Sequence, residues 1–335
     1  MAIGRARPIR SETVPSDSNG VPFPPVRRLG PGDLPHCVRL SVDRGWLPER
    51  AKWSLLLEVS EVFGIDAPDG GDGPDGAGSG DGALAGAVVL TRYGADLASV
   101  GMMLVATRYG RRGLGRALME HLLAEAGDAT VTLFATDLGK PLYDKLGFRT
   151  IRRSAAFTGP FRVEPAEPAE PAETSETAET AVTTAARAAD NSKMRTRPAA
   201  AADMASIIDV DKAAFGADRS RLLRRLPAFA GQLLVLESEH GLAGFAAAWQ
   251  NHTSTVIGPV VAPDSAAARR LIGDLAAGIR GQVRLDLDPD RPELPPWAVR
   301  HGLQPAGLNA VMAYGDRPPP GDPARLFTPI SIALA

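Results

Sequence analysis

The chain has 335 residues, 37 Lys and Arg against 39 Asp and Glu, and a formal net charge of -2, so no overall basic field draws it to nucleic acid. That length exceeds one ordinary domain and suits two, and a 44% hydrophobic content is that of a globular protein. The single cysteine, Cys37, excludes an internal disulfide and fits a reducing cytoplasm; its neighbour His36 would face away from it on a helix, so it reads as a buried structural thiol.

Residues 1–25 carry arginines and prolines but no apolar segment, which predicts a disordered tail and not a signal peptide. No stretch is apolar for long enough to span a bilayer. Residues 26–29 read as a strand, Asp33 as the N-cap of a helix reaching Asp43, and residues 49–59 as a second helix with Trp53, Leu56 and Leu57 on one face. Residues 61–65 form a short strand. Residues 66–82 are almost wholly Gly, Asp, Pro and Ala. Gly70 to Asp75 matches the start of a calcium nonapeptide, but one copy with no large apolar residue at Ala77 cannot stack, so a disordered hairpin loop is expected. Residues 84–92 and 97–105 are paired strands across a turn at 93–96.

The most informative stretch follows. The apolar run 100–105 ends in a basic turn, Arg111-Arg-Gly-Leu-Gly-Arg116, after which Leu114, Leu118 and Leu122 recur at helical spacing to about Ala126. Such a turn leaves the first backbone N–H groups of a helix unpaired. The glycines clear the approach, the helix dipole favours negative charge, and Arg111, Arg112 and Arg116 add to it. A phosphorylated ligand is implied. It is not a P-loop, because Gly115 is followed by Arg116 and Ala117, and it lacks the third glycine of a dinucleotide fingerprint. A strand at 131–134 leads to Lys140-Pro-Leu-Tyr-Asp-Lys-Leu-Gly-Phe148, a helix with Pro141 in its first turn and Gly147 as its C-cap, and then to a last strand at 148–157.

The loop and the Leu-Tyr-Asp-Lys-Leu-Gly-Phe segment, in this order, resemble the two signatures of the GNAT superfamily of N-acetyltransferases, over residues 26–157. The resemblance implies an α/β (α+β) fold, a mixed central sheet flanked by helices. It implies acetyl-CoA as cosubstrate, its pyrophosphate held at Arg111, Arg112, Gly113, Leu114, Gly115 and Arg116, and its pantetheine arm aligned along Met103, Leu104 and Val105. The leading Gln/Arg of the family's loop falls on Gly110, so Arg111 or Arg112 must supply that contact. Tyr143 stands where the family places its general acid, and a phenol of ordinary pKa near ~10 stays protonated at neutral pH. The alternative role for Tyr143 is an aromatic that only shapes the pocket. The first two helices wall the acceptor site in this family, which makes Trp46 and Trp53 candidates to line it, with core packing favoured for Trp53. No base is assigned: Asp137 could serve or could cap the Tyr143 helix, and His121 reads as an edge-of-core residue.

Residues 161–193, with Glu-Pro-Ala repeated from Glu164 to Ala172, read as a disordered Pro/Glu-rich linker. From residue 194 the element order starts again: strand 195–198, helices 199–214 and 219–229, strands 232–236, 241–250 and 255–261, helix 265–279, strand 283–287, helix 297–301 and strand 303–314. Two domains of the same fold in tandem, 26–160 and 194–335, are expected. The second copy lacks the glycine pair and the arginines, and Asp264 would repel a phosphate there. Ala298 falls at the Tyr143 position. Residues 215–220 and 258–261 resemble the C-terminal domain of some bacterial two-domain acetyltransferases. A structural or substrate-covering role is expected of it. The whole reads as a cytoplasmic N-acetyltransferase that moves acetyl from acetyl-CoA to a primary amine, small molecule or peptide, in a ternary complex. It needs no metal, nucleic acid or membrane, and a homodimer stays open. The rival readings are a non-catalytic acyl-CoA sensor and a tandem aminoacyl- or peptidyl-type transferase.

Overall fold

A computed structural model describes residues 15–16, 20, 22–68, 83–163 and 194–334. The expectations for the Gly/Asp loop at 69–82, for most of the tail and for the linker at 164–193 lie outside the described residues. The chain divides into two compact units. The first comprises residues 1–151, 311–319 and 333–335; the second comprises 152–310 and 320–332.

The first unit runs β1 (Arg27–Leu29), α1 (Leu34–Asp43), α2 (Arg50–Val59), β2 (Glu61–Asp66), β3 (Leu84–Tyr93), β4 (Leu97–Val105), α3 (Leu114–Ala126), β5 (Thr130–Ala135) and α4 (Lys140–Lys145). Strands β1 to β4 pair antiparallel in sequence order, and β4 pairs parallel with β5. Every residue of β3 except Arg92 is buried, which explains its unbroken apolar sequence: both faces are covered, so no polar alternation is needed. Helix α3 buries Leu114, Leu118, Met119, Leu122 and Ala126, the stripe its spacing predicts. It packs closely because Gly86 has no side chain; a methyl group there would lie 2.9 Å from Leu118 Cδ1. Trp53 is fully buried and donates from Nε1 to Ser41 Oγ at 2.8 Å, so it belongs to the core. Phe23, inside the segment expected as tail, is buried too, with its ring edge-on to Tyr109 at 5.2 Å.

Periodicity located the last strand but not its partner. β6 (Arg149–Pro160) enters the second unit at Arg152, and its residues 155–160 pair antiparallel with β11 (Gln282–Leu287). In the first unit, residues 311–314 of β12 (Gln304–Tyr314) take a place there, and the Tyr314 ring packs on Phe148 at 5.3 Å. A strand's own sequence says that it needs a neighbour and says little about which copy supplies it.

The second unit adds β7 (Arg195–Pro198), α5 (Met204–Phe215), α6 (Ser220–Leu223), α7 (Leu226–Phe229), β8 (Gln232–Ser238), β9 (Gly241–Gln250), β10 (Thr255–Val261), α8 (Ser265–Ala277), α9 (Leu294–Arg300) and β13 (Leu326–Thr328). Its strands lie in the order β6-β11-β10-β9-β8-β7, with β13 on β10. The one helix expected at 219–229 is two short ones, with Pro227 in the first turn of α7, where a missing N–H is tolerated. Buried Asp211 and Arg219 form a bidentate pair, with Nε to Oδ2 at 3.0 Å. The repeat extends to detail. Arg27 pairs with Asp33, whose other oxygen accepts the Gly30 N–H at 2.8 Å; Arg197 pairs with Asp203, which accepts the Ala200 N–H at 2.7 Å.

Candidate active site

The parallel pair β4–β5 holds register from Leu97–Thr130 to Val100–Leu133 and then parts, although β4 continues to Val105 and β5 to Ala135. On its other edge, β4 slips against β3: Val89 faces Gly101 but Ala87 faces Leu104, so β4 carries one extra residue. Met102, inside that bulge, has φ +47°. Only one other non-glycine residue among those described has positive φ: Arg111, at +61° in the basic turn. Strain of this kind persists where surrounding structure enforces it and gathers at functional sites. Here it marks both ends of the segment Met102 to Arg111. Sequence reasoning named Met103, Leu104 and Val105 on this strand and missed Met102. The signal available was weak, two consecutive large apolar residues after a glycine.

The basic turn is held from below. A 3₁₀ turn at Thr107–Tyr109 follows β4, and Asp43, closing α1, accepts the Thr107 N–H at 2.6 Å. Gly113 is the N-cap of α3 at φ +83°, a left-handed conformation that disfavours a side chain. Gly115 lets side chains pack close: a methyl there would lie 2.9 Å from Met103 Cε and 3.3 Å from Leu142 Cδ2, so those chain ends would have to shift. No side chain caps the first turn of α3. The three arginines differ. Arg111 is exposed, and Arg116 is tied to Glu120 at 2.7 Å. Arg112 Nη1 is buried without a hydrogen-bond partner, one of three such side-chain atoms among the described residues. A buried guanidinium nitrogen with nothing to donate to is costly unless an anion completes it. Gly110 lies exposed in the turn and supplies no side chain at the position where the resemblance expects one.

Tyr143 is buried on α4, edge-on to Phe148 at 5.8 Å. Burial pushes its phenol up to about 12. Its ring sits 3.1 Å from where a methyl on Gly139 would be, so a side chain there would press on the ring. Asp137 does not cap this helix. Gly139 is the N-cap, and Thr136 accepts the Gly139 and Lys140 N–H groups through its carbonyl at 3.0 and 2.9 Å. Asp137 itself is exposed. His121 packs edge-on to Phe63 at 4.8 Å, a structural contact. Trp46 is 42% exposed in the turn between α1 and α2. Among the described residues no group of His, Cys, Asp and Glu could hold a metal ion.

The second unit has the same parts, closed. β10 and β11 also run parallel, pairing only at Thr255–Val283 and Val256–Arg284 before they part. β9 follows β10 to Val261 on one edge, so β13, which pairs Val260 with Thr328 and Val261 with Leu326, lies on the edge that β11 has left. At the start of α8 the Asp264 carboxylate accepts the Ala267 N–H at 2.9 Å. The anion position of this helix is filled by the chain's own carboxylate, and the strand gap by its own strand. In the first unit β4 pairs with β3 and β5 alone among the described strands, which leaves one edge of Met102 to Val105 open.

A family model described as "Acetyltransferase (GNAT) domain" matches residues 79–160, and a second of the same description matches residues 207–328. Together they take in more than half of the chain. The protein is a member of the GNAT acetyltransferase family. It carries two GNAT domains in tandem in an α/β architecture with mixed sheets. It is 29% identical over 240 residues to the uncharacterized N-acetyltransferase YitH of Bacillus subtilis (strain 168), covering 71% of this chain and 77% of that one. In fold it is similar to a putative acetyltransferase from Pyrococcus horikoshii, with TM-score 0.68 and 19% identity over 92% of this chain and 95% of that one. It is also similar to a tandem GNAT protein from the clavulanic acid biosynthesis pathway, with TM-score 0.53 and 15% identity over 88% and 98%. No helix among the described residues is long and apolar enough to cross a membrane.

Proposed function

We propose that the first unit transfers acetyl from acetyl-CoA to a primary amine, by direct attack with both substrates bound. The observation that carries the reading is the contrast between the two copies. One has an open strand edge at Met102 to Val105, leading to an uncapped helix start beside the orphaned Arg112 Nη1. The other has filled both positions from its own chain. Arg112, the N–H groups at Gly113 to Arg116 and the nearby Arg111 would hold the pyrophosphate. The edge of β4 at Met103, Leu104 and Val105, which has parted from β5, would pair with the amides of the pantetheine arm. Acetyl-CoA supplies the thioester, already activated for attack by an amine.

The protein's part is then positioning and proton handling. A backbone N–H at the Met102 bulge can donate to the thioester oxygen as negative charge develops there. Tyr143 can deliver a proton to the departing sulfur. With its phenol pushed up to about 12, it is protonated at neutral pH; a thiolate is the weaker base, its thiol having a pKa of ~8.5, so the phenol can pass its proton to sulfur only as it regains the one that the attacking nitrogen gives up. Trp46, half-exposed between α1 and α2, would line the acceptor side. The acceptor is a small-molecule or peptide amine.

The test is thiol release from acetyl-CoA across a panel of polyamines, amino acids and lysine peptides, wild type beside Tyr143→Phe. Turnover with one acceptor that falls roughly 100-fold or more in Tyr143→Phe supports the reading. Tight acetyl-CoA binding with no turnover on any amine, unchanged by the substitution, would replace it with an acyl-CoA sensor.

A further inference from the structure

The bulged strand is braced on its other face by Ala333 and Leu334. A methyl group on Gly101, immediately before Met102, would lie 2.2 Å from the carbonyl oxygen of Ala333. The carbonyl of the next residue, Leu334, accepts the Tyr93 hydroxyl at 2.7 Å. Ala333 and Leu334 are 5% and 1% exposed, and both belong to the first unit. The register fixes which face this is. Gly101 pairs with Val89, which shares a face with Tyr93 and Thr91, and Thr91 meets Ser60 at the end of α2 at 2.7 Å. Val105 pairs with Gly86 on the opposite face, where Leu118 of α3 sits. The chain end therefore lies on the α2 face of β4, away from α3 and the basic turn. It touches the residue next to the strained one.

The second unit repeats the device. A methyl on Gly258, again beside a register slip, would lie 2.0 Å from the carbonyl oxygen of Pro329, and Trp249 Nε1 donates to the carbonyl of Ile330 at 2.9 Å. A glycine against a carbonyl, and an aromatic N–H or O–H on the carbonyl that follows, thus recurs with residues 329–330 in one unit and 333–334 in the other. In the second unit the helix that follows, α8, has its start capped by Asp264. In the first the device abuts the bulge from which a backbone N–H would meet the thioester oxygen.

We propose that Ala333 and Leu334 are a positioning element of the transfer site: the Gly101 and Tyr93 contacts hold the Met102 bulge in its strained geometry from the acceptor side. This rests on the acetyl-transfer reading above. Tyr93 is a positioning residue, acting through the strand. Removing its hydroxyl loosens the chain end while leaving the basic turn on the far face untouched. Gly101→Ala displaces the chain end outright.

The experiment compares full-length wild type, Tyr93→Phe and Gly101→Ala. CoA affinity is measured by calorimetry, steady-state kinetics at a temperature where all three are folded, and the Met ε-methyl NMR spectrum with CoA bound. A misplaced reacting centre predicts kcat down about 10-fold in Tyr93→Phe and about 100-fold in Gly101→Ala, with CoA affinity within about 2-fold of wild type. The Met102 and Met103 methyl signals should move, with that of Met119 on α3 fixed. Tyr93→Phe, which keeps the ring, is the variant that guards against a mere folding defect. Unmoved Met102 and Met103 signals, or kcat per folded molecule equal to wild type, overturns the proposal. Should wild type acetylate no amine, the acetyl-transfer reading fails by itself, and the methyl spectra still decide whether the chain end positions the bulge.

Discussion

Arg112 is the sharpest place to test the site, because the structure separates it from its two neighbours. All three arginines of the turn look equivalent in sequence. In the fold Arg116 already has Glu120 at 2.7 Å and Arg111 is exposed, whereas Arg112 Nη1 is buried with no acceptor. A charge-assisted hydrogen bond to a phosphate oxygen contributes about 1.5–3 kcal/mol, so Arg112→Gln should weaken CoA binding roughly 10- to 150-fold. Arg111→Gln and Arg116→Gln should each cost less than about 1 kcal/mol, the scale of solvent-exposed charge contacts, and less again at high salt. The ligand-free protein should respond much less. Arg112→Gln removes a buried donor without an acceptor but also the guanidinium's contact with the Tyr109 ring at 5.9 Å, so stability without CoA should stay within about 1 kcal/mol of wild type. Calorimetric titration with CoA and thermal unfolding with and without it measure both arms. A variant that unfolds earlier when ligand-free yet keeps wild-type affinity would refute the argument, showing Arg112 to be part of the scaffold and not of the phosphate site.

Other expectations can be checked together. Asp211→Ala should destabilise the protein by about 3–5 kcal/mol, since buried Arg219 would lose its bidentate carboxylate, while the Asp211→Leu/Arg219→Leu double variant should lose much less; denaturant titration that ranks them the other way would count against a desolvated pair. Tyr143 and Cys37 both have acid groups raised by burial, from 10.0 and 9.0 to about 12 in each case. A raised folded-state pKa means that the folded form holds its proton longer. Their contributions are therefore complete below about pH 9 and are lost as pH rises from there to about 12, by about 2–3 kcal/mol for Tyr143. Stability should fall across that alkaline window, and less steeply in Tyr143→Phe; a flat profile to pH 11 would contradict it. For the same reason Cys37 should resist alkylation at pH 8 in the folded protein and react fast in denaturant, as mass spectrometry would show. Asp264→Ser should not create CoA binding in the second unit, because β13 still occupies the edge of β10; a second CoA site in calorimetry would show that the carboxylate alone was the barrier.

The sequence by itself determined the parts. Helix α3 and its glycine turn, the Tyr143 helix, the hairpin β3–β4 and the second run of the same elements could all be read locally. Each is encoded by short-range features: apolar period, caps, and glycines where φ is positive or space is short. The loss of chemistry in the second copy was legible too, because Asp264 stands where the first copy has glycine and arginine. What only the tertiary structure decided is how those parts are completed by distant chain. Nothing local in residues 148–157 reveals that β6 pairs with β11, nor in residues 311–314 that they join the first unit, since pairing is a contact between segments more than 100 residues apart. The bulge at Met102, the sorting of three arginines into one orphan, one ion pair and one exposed charge, and the bracing of Gly101 by Ala333 depend on what packs against each group. Burial and partner choice are properties of the assembled fold, and it is these that distinguish a phosphate-binding arginine from its sequence neighbours and an open strand edge from a filled one.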